Sequence, residues 1–156
     1  MGRSMEFYSG DAAMIGTRFT DYDWGSLREL RDATSHVDFS LHFALSDLDL
    51  LTQELSDTLG ANVPDFTQSL GRVVGGDGSE FSARPLSRTC VELLGIMDDG
   101  IPAPDVADAW TSLMAEARGT PQLSATPDLI QGLSHLGRLC RAALATGQDV
   151  VFCSYP

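Results

Sequence analysis

The chain has 156 residues, of which 22 are acidic and 10 are basic, and this gives a net charge of −12. The length fits one globular domain over residues 1–156, with a core large enough to fold without disulfides or a metal ion. The negative charge disfavours binding to nucleic acid or to an anionic membrane, because both are bound through basic side chains. It is typical of a soluble protein and also suits a basic partner protein.

Missing residue types restrict the chemistry further. All 10 basic residues are Arg, and a chain without Lys has neither a P-loop nor a lysine Schiff base. The three cysteines, Cys90, Cys140 and Cys153, form no C-x-x-C pair, so we expect no structural zinc site and a reducing, cytoplasmic environment. We also expect no secretory signal, membrane span or cofactor. The absence of Lys is typical of proteins from GC-rich bacterial genomes.

The N-terminal part predicts a strand followed by two short helices. Met5 to Tyr8 is an apolar run that predicts an edge strand. Asp11 is placed to cap a helix over Ala12 to Phe19, because a side-chain oxygen before a helix accepts its first backbone N–H groups. A second helix is predicted from Asp23 or Ser26 to Asp32.

The clearest strand signal is His36 to Phe43. Apolar and polar residues alternate through it, a period of two that is typical of a strand with one face on the core. The apolar positions are Val37, Phe39, Leu41 and Phe43, and the polar ones are His36, Asp38, Ser40 and His42.

The rest of the chain is mainly helical in pattern. Ser46 is expected to cap a leucine-rich helix that ends at Gly60. Pro127, directly after the capping residue Thr126, begins a long helix that ends at Gly147, and a buried strand follows at Val150 to Phe152. The remaining predictions are helices at 65–74, 85–97 and 104–118 and a flexible loop at 75–78.

These elements predict an α+β fold that is mostly helical. We expect one small sheet, with strands near 5–8, 36–43 and 149–153, and helices packed on one of its faces. An alternative interpretation gives the exposed sheet edge a role as the interface of a homo-oligomer.

Two segments resemble the YfbM-like family of small acidic bacterial proteins, whose function is unknown. In the second half of the chain, a Ser69–Gly76 segment (SLGRVVGG) leads to a helix, and Leu129 to Phe152 combines a long helix, a glycine turn and a C-terminal strand. Val37 to Phe43 (VDFSLHF) is similar to a family segment if one residue is inserted. The resemblance implies a fold and no activity.

The polar side of the predicted strand is the candidate site for chemistry. His36, Asp38, Ser40 and His42 are expected to share one face, with His42 at its centre and His135 able to approach from the last helix. His36 and His42 are too far apart on one strand to bind the same metal ion. The order of Asp38, Ser40 and His42 is poor for a catalytic triad, which needs the histidine between the acid and the serine. The alternative interpretation is a solvated polar face.

Three hypotheses for function follow, and they differ in class. The first is a non-enzymatic protein-binding module, in the manner of an immunity protein or antitoxin, whose partner is a basic protein. The second is a small enzyme or small-molecule binder that uses Asp38, Ser40, His42 and His135. The third is a structural subunit of a homo-oligomer. The absence of any complete catalytic motif favours the first hypothesis over an enzyme.

Overall fold

The computed structural model describes residues 3–30, 35–40, 43–122 and 124–156. In these residues the chain forms an α+β fold with one antiparallel sheet. The strands are β1 (Ser4–Gly10), β2 (His36–Asp38), β3 (Gly75–Gly76), β4 (Ser82–Pro85) and β5 (Asp149–Tyr155). The helices are α1 (Ala12–Thr20), α2 (Trp24–Glu29), α3 (Leu45–Leu59), α4 (Arg88–Leu94), α5 (Ala103–Arg118) and α6 (Pro127–Thr146), with a 3-10 turn at Thr67–Ser69.

The N-terminal and C-terminal strands lie side by side in the middle of the sheet. The strand order is β2-β1-β5-β4-β3, and every neighbouring pair is antiparallel. Phe7 on β1 lies opposite Phe152 on β5. The prediction that the first strand is an edge strand is therefore wrong, because β2 and β5 flank β1 on its two sides.

Helices cover both faces of this sheet. Phe7 and Phe152 point into the larger core, which α3, α4, α5 and α6 also line. Tyr8, Val151 and Cys153 point the other way, into a smaller core with residues of α1 and α2. The expectation of helices on a single face is wrong, because β1 and β5 carry large apolar side chains at successive positions and so bury both faces.

Helix ends follow the predicted caps closely. Asp11 accepts a hydrogen bond from the Met14 N–H at the start of α1, and Thr126 caps α6 in the same way. Gly60 and Gly147 end α3 and α6 in the left-handed conformation that glycine tolerates. The second helix begins after Asp23, the first of its two predicted caps.

Helix α3 begins at Leu45, two residues earlier than a cap at Ser46 predicts. Its N-cap residue is therefore Ala44 rather than Ser46, and the Asp47 side chain accepts a hydrogen bond from the backbone of Ala44. The Asp47 carboxylate accepts the Ala44 N–H at 2.7 Å from three residues along the chain. An acidic residue at this position satisfies a free backbone donor and also suits the positive end of the helix dipole.

The helix predicted at 65–74 is wrong, since only the 3-10 turn Thr67–Ser69 forms there. The residues after this turn are extended beside β4: the Gly71 N–H donates to the carbonyl oxygen of Pro85, and the Val74 N–H donates to that of Ala83. This pairing also places Gly75 and Gly76 in β3 rather than in a loop, and it draws Pro85 into β4 rather than into α4. The backbone partners come from a distant segment, which local helical spacing does not reveal.

No helix in the described residues combines the length and the apolar character that a membrane crossing requires.

Candidate functional site

A buried carboxylate lies at the centre of the most polar cluster in the smaller core. Glu6, on β1, is 3% exposed. Its Oε1 lies 3.0 Å from Nε2 of His36, and its Oε2 accepts hydrogen bonds from the hydroxyls of Tyr8 at 3.2 Å and Tyr155 at 3.1 Å. We call Glu6, Tyr8, His36 and Tyr155 the Glu6 cluster. A carboxylate removed from water needs such donors to remain charged.

Strand register brings the cluster together. Tyr8 pairs with His36 across β1 and β2, and the two rings are 4.8 Å apart. Glu6 and Tyr8 are two residues apart and so share a face of β1, and Tyr155 reaches the same carboxylate from β5. The cluster therefore joins the three strands β2, β1 and β5 through side chains as well as through the backbone.

Cys153 pairs with Glu6 across β1 and β5, on the face of the Glu6 cluster. Burial raises the pKa of the Cys153 thiol, and the negative charge of Glu6 raises it further. Burial also raises the pKa of Cys90, to about 11, and that of Cys140. The environment of each cysteine therefore disfavours the thiolate that a nucleophile or a metal ligand requires.

This leads to a prediction for thiol chemistry. In the folded protein all three cysteines are buried and lack thiolate character. We expect them to react with a disulfide reagent such as dithionitrobenzoate roughly a hundredfold more slowly than free cysteine at mildly alkaline pH. All three should react at once when the protein is unfolded in guanidinium. A thiol that reacts rapidly in the folded state would contradict this picture.

The predicted polar strand face is only partly formed. Strand β2 ends at Asp38, although the Phe39 N–H still donates to the Met5 carbonyl oxygen of β1 at 2.8 Å. His36 faces the Glu6 cluster, whereas the Asp38 carboxylate is exposed and accepts the N–H of Ser40 at 2.9 Å. The Ser40 hydroxyl accepts the Met5 N–H at 3.0 Å. Asp38 and Ser40 thus have local structural bonds, and His42 lies outside the described residues.

His135 does not approach the Glu6 cluster. It lies on α6, which packs on the face of the sheet that carries Val37 and Phe39. His36 points to the opposite face, because successive side chains of a strand alternate. The approach of His135 to His42 stays a prediction, because His42 lies outside the described residues.

Glu6 and its two tyrosine partners are not among the candidate site residues that the sequence pattern indicates. The signal was present, since Glu6 is the one charged residue in the apolar run Met5 to Tyr8. Glutamate is almost never fully buried unless it is paired, so a charge in a buried strand predicts a partner. The identity of that partner depends on strand register, which the sequence does not reveal.

A second feature lies on the face of the sheet that carries the smaller core. It is a group of stacked aromatic rings that reaches the surface. Tyr22 stacks on Phe81 with ring centroids 5.0 Å apart, and Phe81 stacks on buried Phe19 at 4.4 Å. Trp24 contacts Phe19 at 5.7 Å and Tyr155 at 5.6 Å. We call these five residues the aromatic edge. Its outermost ring, Tyr22, is 63% exposed, the largest exposure of any large hydrophobic residue described.

Exposed acidic residues lie next to Tyr22 and Phe81 in the chain or are bonded to them through the backbone. Asp21 and Asp23 flank Tyr22 in the chain, Glu80 precedes Phe81, and the Asp77 N–H donates to the Phe81 carbonyl at 2.9 Å. We call Asp21, Asp23, Asp77 and Glu80 the acidic rim. Hydrogen bonds from Ser26 lower the pKa of Asp23, and those from Ser79 lower the pKa of Asp77. Both carboxylates are therefore charged at neutral and mildly acidic pH.

Comparison with known protein families, with curated proteins and with solved structures gives no match for this chain. The similarity to the YfbM-like family therefore stays a prediction.

Proposed function

We propose that this protein is a non-enzymatic binding module for a basic protein, in the manner of an immunity protein or an antitoxin, and that the aromatic edge is its contact surface. The observation that carries the proposal is the exposed ring of Tyr22, which is stacked on Phe81 and is flanked in the chain by the exposed residues Asp21 and Asp23 of the acidic rim. Aromatic residues are the commonest anchors of protein interfaces. A surface that combines such an anchor with negative charge complements an arginine-rich or lysine-rich partner.

The backbone at Tyr22 supports a role beyond stability. Tyr22 has a φ of 54°, in the left-handed region that costs a side chain roughly 1 kcal/mol and that glycine adopts freely. The turn between α1 and α2 thus holds a strained tyrosine with its ring in solvent. Such positions are concentrated at binding sites, where the side chain contributes to recognition.

The acidic rim supports a basic partner in two ways. Its charges raise the rate at which a cationic surface encounters the site, and this effect is strongest at low salt. An arginine that reaches the ring of Tyr22 also gains a cation–π contact of roughly 0.5–2 kcal/mol. Arg3 lies beside the rim, where it pairs with Glu80 at 3.0 Å, and a partner guanidinium would compete for that carboxylate.

The test uses a short arginine peptide as the probe and follows the protein's amide resonances by NMR. We expect shifts at Tyr22, Phe81 and the acidic rim that weaken as salt is added. Replacing Tyr22 with glycine should lower the affinity about fivefold, because the cation–π anchor is lost. The same change relieves the left-handed strain, so the protein should stay folded.

The matched control is Leu59→Ala, which removes an exposed apolar side chain, 50% exposed, at the end of α3. This variant should bind the peptide as tightly as the native protein. The proposal fails if the shifts spread over all acidic residues alike, or if Tyr22→Gly and Leu59→Ala bind the peptide equally well. A glutamate peptide of the same length should produce no shifts.

A further inference from the structure

A cavity of about 370 Å³ opens between the end of α5 and the start of α6, on the face of the sheet opposite the aromatic edge. Its apolar wall consists of Phe43, Met114 and Leu129, all packed on the larger core. Phe43 is held in place by its contact with Trp110, whose ring centroid is 4.8 Å away. The volume lies in the range of pockets that bind small molecules, and the wall is fixed by the core rather than by loops alone.

Among the described residues that line this cavity, Arg118 is the cation, and the protein holds it in position. Nη2 of Arg118 donates to Oδ2 of Asp47 at 2.5 Å. The Asp47 side chain is 5% exposed, whereas that of Arg118 is 48% exposed. The ion pair thus anchors the guanidinium, and about half of the Arg118 side chain stays exposed beside the cavity that it lines. Within the described residues, the Nε and Nη1 groups of Arg118 donate no hydrogen bonds.

We propose that this cavity binds a small apolar molecule that carries a carboxylate. The apolar wall takes the body of the ligand, and the open donors of Arg118 bind the carboxylate through charge-assisted hydrogen bonds. Asp47 fixes the guanidinium before the ligand arrives, which reduces the loss of side-chain entropy on binding. Asp128 lines the same cavity and can accept a hydrogen bond from an ammonium group. An apolar amino acid and a simple aryl carboxylic acid therefore both belong to this ligand class.

Isothermal titration calorimetry with phenylpropionate, phenylalanine and the uncharged analogue phenylpropanol tests the proposal. We expect at least one of the two carboxylates to bind about tenfold more tightly than the alcohol, because only a carboxylate bonds strongly to Arg118. Arg118→Gln should abolish this preference. Arg138→Gln is the control, since Arg138 is an exposed arginine of α6 that does not line the cavity, and it should leave the preference intact.

The two ligand sources give different results. If phenylalanine binds more tightly and Asp128→Asn removes this advantage, the ligand is an amino acid. If phenylpropionate binds more tightly and Asp128→Asn leaves this advantage intact, the ligand is a simple carboxylic acid. The proposal is overturned if neither carboxylate binds, or if Arg118→Gln keeps the preference over the alcohol. If Arg118→Gln does not fold, titration of the native protein still tests the proposal. Equal affinity of the native protein for the carboxylates and for phenylpropanol would also overturn the proposal. Tyr22→Gly should not change these affinities.

Discussion

Replacement of Glu6 with alanine is expected to lower the free energy of unfolding by about 3 kcal/mol. The change removes one acceptor from three groups at once: the hydroxyls of Tyr8 and Tyr155 and the ring of His36. Each buried donor that loses its acceptor costs about 1–3 kcal/mol. Partial relaxation of the structure keeps the total loss of stability below the sum of three such costs. Urea unfolding followed by circular dichroism measures the difference.

Two further variants separate the cluster from a general effect of losing a glutamate. Glu6→Gln keeps one carbonyl acceptor but not the charge, so its loss of stability should be smaller than that of Glu6→Ala. Glu92→Ala removes an exposed glutamate that pairs with Arg88 on the surface of α4, and its effect should stay below about 0.5 kcal/mol. If Glu6→Ala costs no more than Glu92→Ala, the Glu6 cluster does not stabilise the sheet.

Local signals in the sequence predicted most helix ends correctly. Asp11, Thr126 with Pro127, and the terminal glycines Gly60 and Gly147 act within one turn of the residues that they cap. Such contacts depend on residues close in the chain, so a sequence pattern shows both partners at once. The same holds for the C-terminal strand, whose apolar run is bounded by a glycine.

The errors concern contacts between distant residues. The helix predicted at 65–74 fails because Val74 pairs with Ala83 across a hairpin, and the predicted edge strand fails because β1 pairs with the C-terminal strand β5. The contacts of the candidate site also depend on residues that are distant in the chain. The sequence places His36 on the polar side of its strand, but its partner Glu6 is 30 residues away, and only strand register brings the two together.

The close contact between α1 and β3 leads to the last prediction, which concerns Gly16. A β-carbon at Gly16 would overlap the carbonyl oxygen of Val74, and one at Gly75 would overlap the carbonyl oxygen of Gly16. The two backbones therefore meet with no room for a side chain on either one. We expect Gly16→Ala to lower the free energy of unfolding by about 3 kcal/mol, as overpacking in a rigid interior does.

Gly25→Ala is the matched control, because Gly25 is also a helical glycine but has open space around it. Its added β-carbon would meet nothing closer than the Asp23 carboxylate at 3.8 Å. Helix propensity alone favours alanine over glycine by up to about 1 kcal/mol at an exposed helical site. The two variants should thus change stability in opposite directions, with Gly25→Ala neutral or stabilising. Equal thermal midpoints for both variants would show that α1 can move away from β3 at little cost.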